Sequence, residues 1–255
     1  MAQRNRSSDH LVVLNAGSVK RLVTIATLVV VGVLAISAWG VPKELGLEPS
    51  NKPQPDCPAE PCRATGKMSG FQVQQLKQSD GKSVTKFPTR VTGRNSWLVA
   101  FSLTMGAPNA EQRQFFNQLW GKPAEARISV FEPTPSQGDR KNKKQRYTLH
   151  NQSAVFDVRS WFGKKAWFVP KKRMHVEKGS VIGLTLPTWA PVLATDLRKR
   201  ERWRSSRKPD HCDELERDRA RENIGEITKF QCLHSTARIL FTALVVPKTP
   251  ENKNR

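Results

Sequence analysis

The sequence is poor in the residues and motifs that mark a catalytic centre. Its 255 residues include one tyrosine, four cysteines and five histidines. It has no G-x-S-x-G nucleophile elbow, no H-E-x-x-H zinc motif and no glycine-rich phosphate loop. Acidic residues are sparse in the strand-like segments, so no pair of carboxylates for glycoside cleavage stands out. We therefore expect no enzymatic activity, no cofactor and no metal, and a hydrolase with a dispersed active site is the alternative.

Long hydrophobic runs are also scarce, and the chain has a single one. Residues 22–42 (LVTIATLVVVGVLAISAWGVP) carry no charge, and 21 helical residues span a hydrocarbon layer of about 30 Å. Four Lys and Arg precede the run, which predicts a cytoplasmic N-terminus (residues 1–21) and a retained transmembrane helix. The alternative is a cleaved signal peptide with a small-residue site at 35–37. Both interpretations place residues 43–255 outside the cytoplasm, at the cell membrane.

The few cysteines agree with export, because all of them follow the apolar run: Cys57, Cys62, Cys212 and Cys232. Thiols that are exported together usually form disulfides. We predict the pairs 57–62 and 212–232, although three connectivities are possible. His211 and His234 stand beside the second pair, so a structural zinc site is the alternative there.

The rest of the chain is predicted to form one strand-rich domain at residues 57–247, between a proline-rich spacer (43–56) and a disordered tail (248–255). Ser96 to Met105 alternates with a period of two, which places Trp97, Val99, Phe101, Leu103 and Met105 on one buried face. Thr236 to Val246 alternates in the same way, with Ala237, Ile239, Phe241, Ala243 and Val245 on one side.

Shorter strand candidates are separated by turn signals: Gly70–Val73, Ala126–Phe131, Arg146–His150, Ser153–Val158, Ala166–Val169 and Ser180–Leu186. One helix is predicted between an Asn109 N-cap and Gly121, and a second, highly charged one at residues 214–225. Many short strands and few helices predict a mainly β domain, an antiparallel two-sheet sandwich of the jelly-roll kind.

Several segments carry a resemblance to known proteins: CPAEPCRATGKMSGFQV, NSWLVAFSLTMG, PAEARISVF, VEKGSVIGLTLPTWAP, WRSSR and FQCLHSTARILFTALVV. Together they cover most of residues 57–246. This pattern resembles single-pass membrane proteins of high-GC Gram-positive bacteria that have no established activity. The resemblance implies an outer domain similar to a galactose-binding-type β-sandwich, and it implies no catalytic residue.

Positive charge is what the sequence has in excess. The net charge is +21, and the 39 Lys and Arg against 21 Asp and Glu after Pro42 leave +18 outside the membrane. Residues 197–212 (LRKRERWRSSRKPDHC) hold seven cations. Outside the cell such a surface attracts anionic wall polymers, glycans or lipid headgroups, and no specific nucleic acid. Two further basic clusters stand at residues 140–146 and 171–173.

Candidate ligand-binding residues combine arginine forks with aromatic rings that stack on sugars: Arg198, Arg200, Arg202, Trp203, Arg204 and Trp189. In the alternative interpretation Trp189 plugs the end of the sandwich, Trp203 packs beneath its arginines, and the charged runs are solvated loops. The sequence thus favours a membrane-anchored, extracytoplasmic binding or scaffold module. A structural subunit of an envelope protein complex is the second hypothesis.

Overall fold

The computed structural model describes residues 41–46, 52–55, 66–134, 146–208, 211–212 and 219–248. Within these ranges the chain is mainly β, and its strands pair antiparallel in a sheet of nine strands, a sheet of five and a two-stranded ribbon. The predicted fold class, a mainly β domain with antiparallel sheets, is confirmed.

The strands are β1 (Lys43–Leu45), β2 (Gly66–Lys77), β3 (Ser83–Lys86), β4 (Ser96–Thr104), β5 (Glu125–Pro133), β6 (Arg146–Gln152), β7 (Phe156–Asp157), β8 (Lys165–Phe168), β9 (Met174–Val176), β10 (Val181–Trp189), β11 (Leu193–Ala194), β12 (Glu201–Ser205), β13 (Ile227–Lys229), β14 (Cys232–Ser235), β15 (Arg238–Ile239) and β16 (Phe241–Pro247). One α-helix, α1 (Ala110–Trp120), and a short 3₁₀ helix (Arg159–Trp161) accompany them.

Helix α1 begins and ends where the sequence predicted. The Asn109 side chain accepts a hydrogen bond from the backbone N–H of Gln112 at 2.8 Å, and the Gln112 side chain accepts one from the Asn109 N–H at 3.0 Å. This reciprocal capping box satisfies two backbone donors that a helix start leaves without partners. Gly121 ends the helix with φ +92°, a conformation that favours glycine.

The large sheet curls on itself into a half-barrel. Its strand order is β13-β6-β5-β10-β2-β12-β14, with β3 beside β2 and β7 beside β5. The two end strands, β13 and β14, are separated along the chain by Phe230 and Gln231 alone. Two residues span only about 10 Å between the flanking Cα atoms, so the opposite ends of the sheet must lie close together. We call the region where these ends meet the seam.

The curled sheet has a core on each face. Its concave face encloses an aromatic cluster in which Phe71, Phe131, Tyr147 and Phe230 are at most 2% exposed. Phe230, from the link across the seam, lies 4.8 Å from the Phe71 ring, centroid to centroid. The convex face packs in a sandwich-like arrangement against the small sheet, whose order is β1-β16-β4-β8, with β9 beside β4.

The strand predicted at Thr236 to Val246 buries the face that its alternation indicated. All five residues of that face lie in the main core: Ala237, Ile239, Phe241, Ala243 and Val245. The segment is nevertheless two strands, β15 and β16, separated by Leu240. The Leu240 N–H donates to the Val192 carbonyl at 2.7 Å, so the chain changes its pairing partner at this residue.

The alternation predicted for Ser96 to Met105 is correct only at its C-terminal half. Phe101, Leu103 and Met105 are buried in the main core, but Trp97 and Val99 are half-buried outside it, and Leu98 is buried in their place. The pairing with β16 jumps from Ala100 to Leu98 and leaves Val99 unpaired. This β-bulge reverses which residues face the core, so the predicted core position of Trp97 is wrong.

The remaining sequence-based segments have mixed outcomes. Lys43–Leu45, assigned to the spacer, forms β1 beside β16 with Leu45 buried, so this part of the spacer belongs to the domain. Residues 219–225, the described part of the second predicted helix, form a loop, because they offer no apolar face; residues 214–218 lie outside the described residues. Residues 22–40 of the predicted membrane segment also lie outside them. Across the described ranges no helix has the length and apolarity to cross a membrane.

Candidate anion-binding site

The basic segment 197–212 crosses the large sheet as a strand instead of forming a loop. Its middle is β12, which pairs with β2 on one side and β14 on the other. Arg198 and Arg200 lie exposed before β12, and Lys208 lies exposed after it. At about 3.3 Å per residue, Arg200 and Lys208 stand up to about 26 Å apart. The cations predicted to act together are therefore divided among three places.

Arg202 and Arg204 lie half-buried on the concave side of β12 and bind other parts of the chain. The Arg202 Nη1 donates to the Gln75 side-chain oxygen at 2.9 Å. The Arg204 Nη1 donates to the carbonyls of Phe230 and Gln231 at 3.0 and 3.3 Å, so it ties β12 to the link across the seam. Burial lowers the pKa of the Arg204 guanidinium, opposed by Tyr147 and reinforced by Arg202. Both guanidinium groups thus hold parts of the fold together, Arg202 through β2 and Arg204 through the link across the seam.

Trp203 points to the opposite side of β12, into the main core. It is 2% exposed, and its ring stacks on the His234 imidazole at 4.1 Å between centroids with an interplanar angle of 18°. Strand alternation explains this, because Trp203 stands between Arg202 and Arg204 on the strand and therefore lies on the opposite face of the sheet. The prediction that Trp203 stacks on a ligand is therefore wrong, because its ring is buried in the main core.

Trp189 is buried as well, at 1% exposed. It contacts the rings of Phe116 and Phe162, with centroids 4.8 and 5.5 Å away, and its Nε1 donates to the Asn117 side-chain oxygen at 3.0 Å. The ring therefore fastens helix α1 to the end of β10. The ligand-stacking role predicted for Trp189 is therefore wrong, and the alternative, that its ring fills the end of the sandwich, is correct.

Arg200 belongs to a polar network between the sheets. Its Nε donates to Glu201 at 3.2 Å, and the buried Arg238 Nη1 donates to the other Glu201 oxygen at 3.0 Å. Arg238 also donates to Gln72, whose amide nitrogen donates to the carbonyl of Phe241 at 2.8 Å. Glu201 thus neutralises the charge of Arg238 and part of that of Arg200.

Positive charge is concentrated at the seam, around a cavity of about 350 Å³. We call it the seam pocket. Five cationic side chains line it, and none of the lining residues that the structure describes is acidic: Arg146, Arg207, Lys208, Arg221 and Lys229. They come from both ends of the curled sheet and from the loop before β13. Sequence reasoning missed Arg221 and Lys229, since each stands alone in its own segment.

The disulfide predicted between Cys212 and Cys232 is present, with the sulfurs 2.09 Å apart. Its thiols are therefore not available as zinc ligands, and the zinc alternative for this pair is wrong. The imidazole of His234 has its pKa lowered to about 3, by burial first and by nearby Arg207 second. Cys57 and Cys62 lie outside the described residues.

The other basic clusters lie apart from the seam pocket or outside the described residues. Of residues 140–146 only Arg146 is described. Lys171, Lys172 and Arg173 line a second cavity of about 370 Å³ beside Asn151. The Arg173 guanidinium lies 4.4 Å above the Trp97 ring, a cation–π contact that covers the residue wrongly predicted in the core.

In the part of the chain that the structure describes, no group of three or more His, Cys, Asp and Glu is placed to hold an ion. The arrangement at the seam instead suits the binding of an anion. In comparisons with known proteins, no family model, no curated protein and no solved structure matches the chain.

Proposed function

We propose that the chain is a membrane-anchored, extracytoplasmic binding or scaffold module that holds an anionic envelope polymer or glycan through a basic surface. The observation that carries this proposal is the seam pocket, where five cations line one cavity and no acidic residue is among its described lining. A net charge of +18 after Pro42 adds a long-range attraction for polyanions. The finer architecture, a jelly-roll-like sandwich after one transmembrane helix in a protein resembling the Gram-positive group named above, is part of the same proposal.

The extracytoplasmic location is supported by the Cys212–Cys232 disulfide. Structural disulfides persist in oxidising compartments and are rare in the cytosol. The apolar run at residues 22–42 supplies the anchor in this proposal. A basic surface outside the cytoplasm meets wall polymers, glycans and lipid headgroups before it meets chromosomal DNA.

Sedimentation with isolated cell envelopes tests the proposed function. The purified full chain, kept in detergent micelles, is mixed with envelopes at low salt and at about 1 M salt, where the Debye length is about 3 Å. We expect co-sedimentation at low salt that is lost at high salt. Reversal of two exposed cations of the basic segment, Arg198→Glu with Lys208→Glu, weakens it more than the matched reversal Lys86→Glu with Lys178→Glu. Binding that ignores both salt and these reversals contradicts the proposal.

A second candidate function is a structural subunit of an envelope protein complex. The observation that favours it is apolar exposure at the seam: Ile224 and Ile227 are 58% and 49% exposed, beside the edge strand β13. An edge strand with exposed apolar side chains is suited to pair with another chain. Co-purification of one partner in fixed ratio, unchanged by salt and lost in Ile227→Lys, distinguishes this function from polymer binding.

A further inference from the structure

We propose that one end of the small sheet is a membrane-contact surface, where the Trp97 ring lies in the phospholipid headgroup layer. The surface is built on Trp97, Val246 and His175, which stand side by side on β4, β16 and β9, and we call these three residues the headgroup row. The inference rests on the proposed function for the membrane anchor that ends at Pro42. It goes beyond that function because it assigns one fixed end of the domain to the bilayer.

The first argument is the register of the strands. β1 and β16 are antiparallel, and Lys43 pairs with Val245. The next residue toward the C-terminus, Val246, therefore stands level with Pro42. Val246 pairs in turn with Trp97. The headgroup row is thus level with the last residue of the apolar run, and Trp97 lies two strand spacings, about 10 Å, to its side.

The second argument is the short connection between the anchor and the sheet. The apolar run extends to Pro42, and β1 begins at Lys43. A bilayer has about 30 Å of hydrocarbon and a headgroup layer of about 5–7 Å on each side. Because β1 follows the run directly, it continues the chain out of the bilayer, and the end of the sheet that holds the headgroup row stays at the height of the headgroups.

The third argument is the chemistry of the side chains at this end. The β-bulge at Val99 turns the half-buried Trp97 away from the core. Tryptophan combines an apolar ring with an N–H donor, and this combination favours membrane interfaces. The exposed Arg173 lies with its guanidinium 4.4 Å above the ring, where its donors can reach headgroup phosphates. Val41 is 83% exposed, and contact with lipid would remove this apolar surface from water.

Net charge alone does not define this surface. Lys43 and Arg173 lie exposed at this end of the sheet, but Glu177 lies exposed directly after β9. The contact therefore depends on the tryptophan ring and on its level in the sheet more than on attraction to anionic lipid.

Trp167 supplies a matched control on the same face of the small sheet. It is half-buried like Trp97, and it pairs with Ser102 of β4, five positions farther from the anchor. At about 3.3 Å per residue, the two tryptophans lie up to about 16 Å apart along the strand. With the strands rising from the bilayer, Trp167 lies beyond the headgroup layer.

Quenching of tryptophan fluorescence by labelled lipid tests the contact. The full chain is reconstituted in vesicles of phosphatidylglycerol and phosphatidylcholine in equal parts, with and without nitroxide-labelled headgroups. The contribution of each ring is the difference between the wild type and Trp97→Phe or Trp167→Phe, so the signals of the other tryptophans cancel. We expect the nitroxide to quench the Trp97 contribution at least twofold more than the Trp167 contribution, because of their separation along the strand.

The outcomes separate this contact from the proposed function. Equal quenching of the two rings, or stronger quenching of Trp167, overturns the placement of the headgroup row. A Trp97 ring that neither the nitroxide nor aqueous acrylamide quenches is covered by another part of the chain or by a second copy, which also overturns it. A chain that alkaline carbonate extracts from the vesicles lacks the anchor, and this result overturns the anchored function together with the contact. A chain that resists extraction while the nitroxide leaves Trp97 unquenched overturns the contact alone.

Discussion

Replacing Arg238 by methionine tests the polar network between the sheets. Arg238 is 2% exposed and Glu201 is 5% exposed, with 3.0 Å between Nη1 and the carboxylate. Removing one partner of a buried ion pair costs about 3–5 kcal/mol, because a buried charge is left uncompensated. Arg200 and Gln74 still reach Glu201, both at 3.2 Å, so we expect the lower end of the range, about 3 kcal/mol.

The double variant Arg238→Met with Glu201→Leu supplies the decisive comparison. Replacing both members of a buried pair by apolar residues of similar size is often neutral or stabilising. We expect the double variant to lie within about 1 kcal/mol of the wild type, and therefore to be more stable than Arg238→Met alone. The assay is urea unfolding of the full chain in detergent micelles, followed by tryptophan fluorescence.

The reasoning is refuted when the double variant loses as much stability as Arg238→Met and Glu201→Leu lose together as single variants. Additivity would mean that the contribution of Glu201 does not depend on Arg238. It is also refuted when Arg238→Met costs less than about 1 kcal/mol, the value of an exposed ion pair. The urea midpoint must shift while the slope of the unfolding free energy against urea concentration stays constant. A change in that slope would indicate a change in the compactness of the folded or unfolded state instead.

Three further predictions concern the framework that carries the seam. Cys212→Ser opens a disulfide with a sequence separation of 20, which should lower the unfolding free energy by about 3 kcal/mol; an unchanged unfolding free energy contradicts the assignment. Because the pKa of His234 is lowered to about 3, the unfolded chain binds a proton that the folded chain refuses, so stability falls as the pH drops from about 6.5 toward 3, by up to about 1.4 kcal/mol per pH unit. His234→Gln should flatten that slope in acid titrations of unfolding, and an unchanged slope counts against burial as its cause. Gly66→Ala would place a Cβ 2.1 Å from the Trp120 ring and should cost about 1–3 kcal/mol in the same assay; a neutral result contradicts the packing of that ring.

The half-barrel explains how a protein with so many cations folds around them. Arg204 crosses the seam to backbone carbonyls, and a cation–π contact places the Arg90 guanidinium 4.1 Å above the Phe87 ring. Near this rim, burial raises the pKa of the Tyr147 hydroxyl, while Arg90 and Arg204 act in the opposite direction. Part of the positive charge is thus used inside the fold, whereas Lys208 and Lys229 lie exposed at the seam.

The difference between arginines that bind other parts of the chain and cations that lie exposed decides which residues a functional test should alter. Arg202 and Arg204 looked equivalent to Lys208 in the sequence, but they hold β12 to its neighbours. Variants at these arginines combine a loss of charge with a loss of structure. Exposed cations such as Lys208 and Lys229 report on binding with less risk to the fold.

The sequence by itself determined the features that depend on neighbours along the chain. Period-two alternation predicts the buried face from Ala237 to Val245, and the capping residues Asn109 and Gly121 predict the ends of α1. Cysteine number, with the export that the apolar run predicts, favours the pair Cys212–Cys232 among three possible connectivities. Each follows from local geometry or from chemistry that needs no knowledge of distant partners.

Only the tertiary structure decided what depends on distant strands. The bulge at Val99 follows from pairing with β16, more than 140 positions later in the chain, and it reverses the faces of Trp97 and Leu98. β12 carries four charged or polar residues around Trp203 and has no apolar alternation of its own; pairing with β2 and β14 makes it a strand. The seam pocket exists because the sheet curls, bringing Arg146 and Lys229 to Lys208, and no spacing within the sequence encodes that approach.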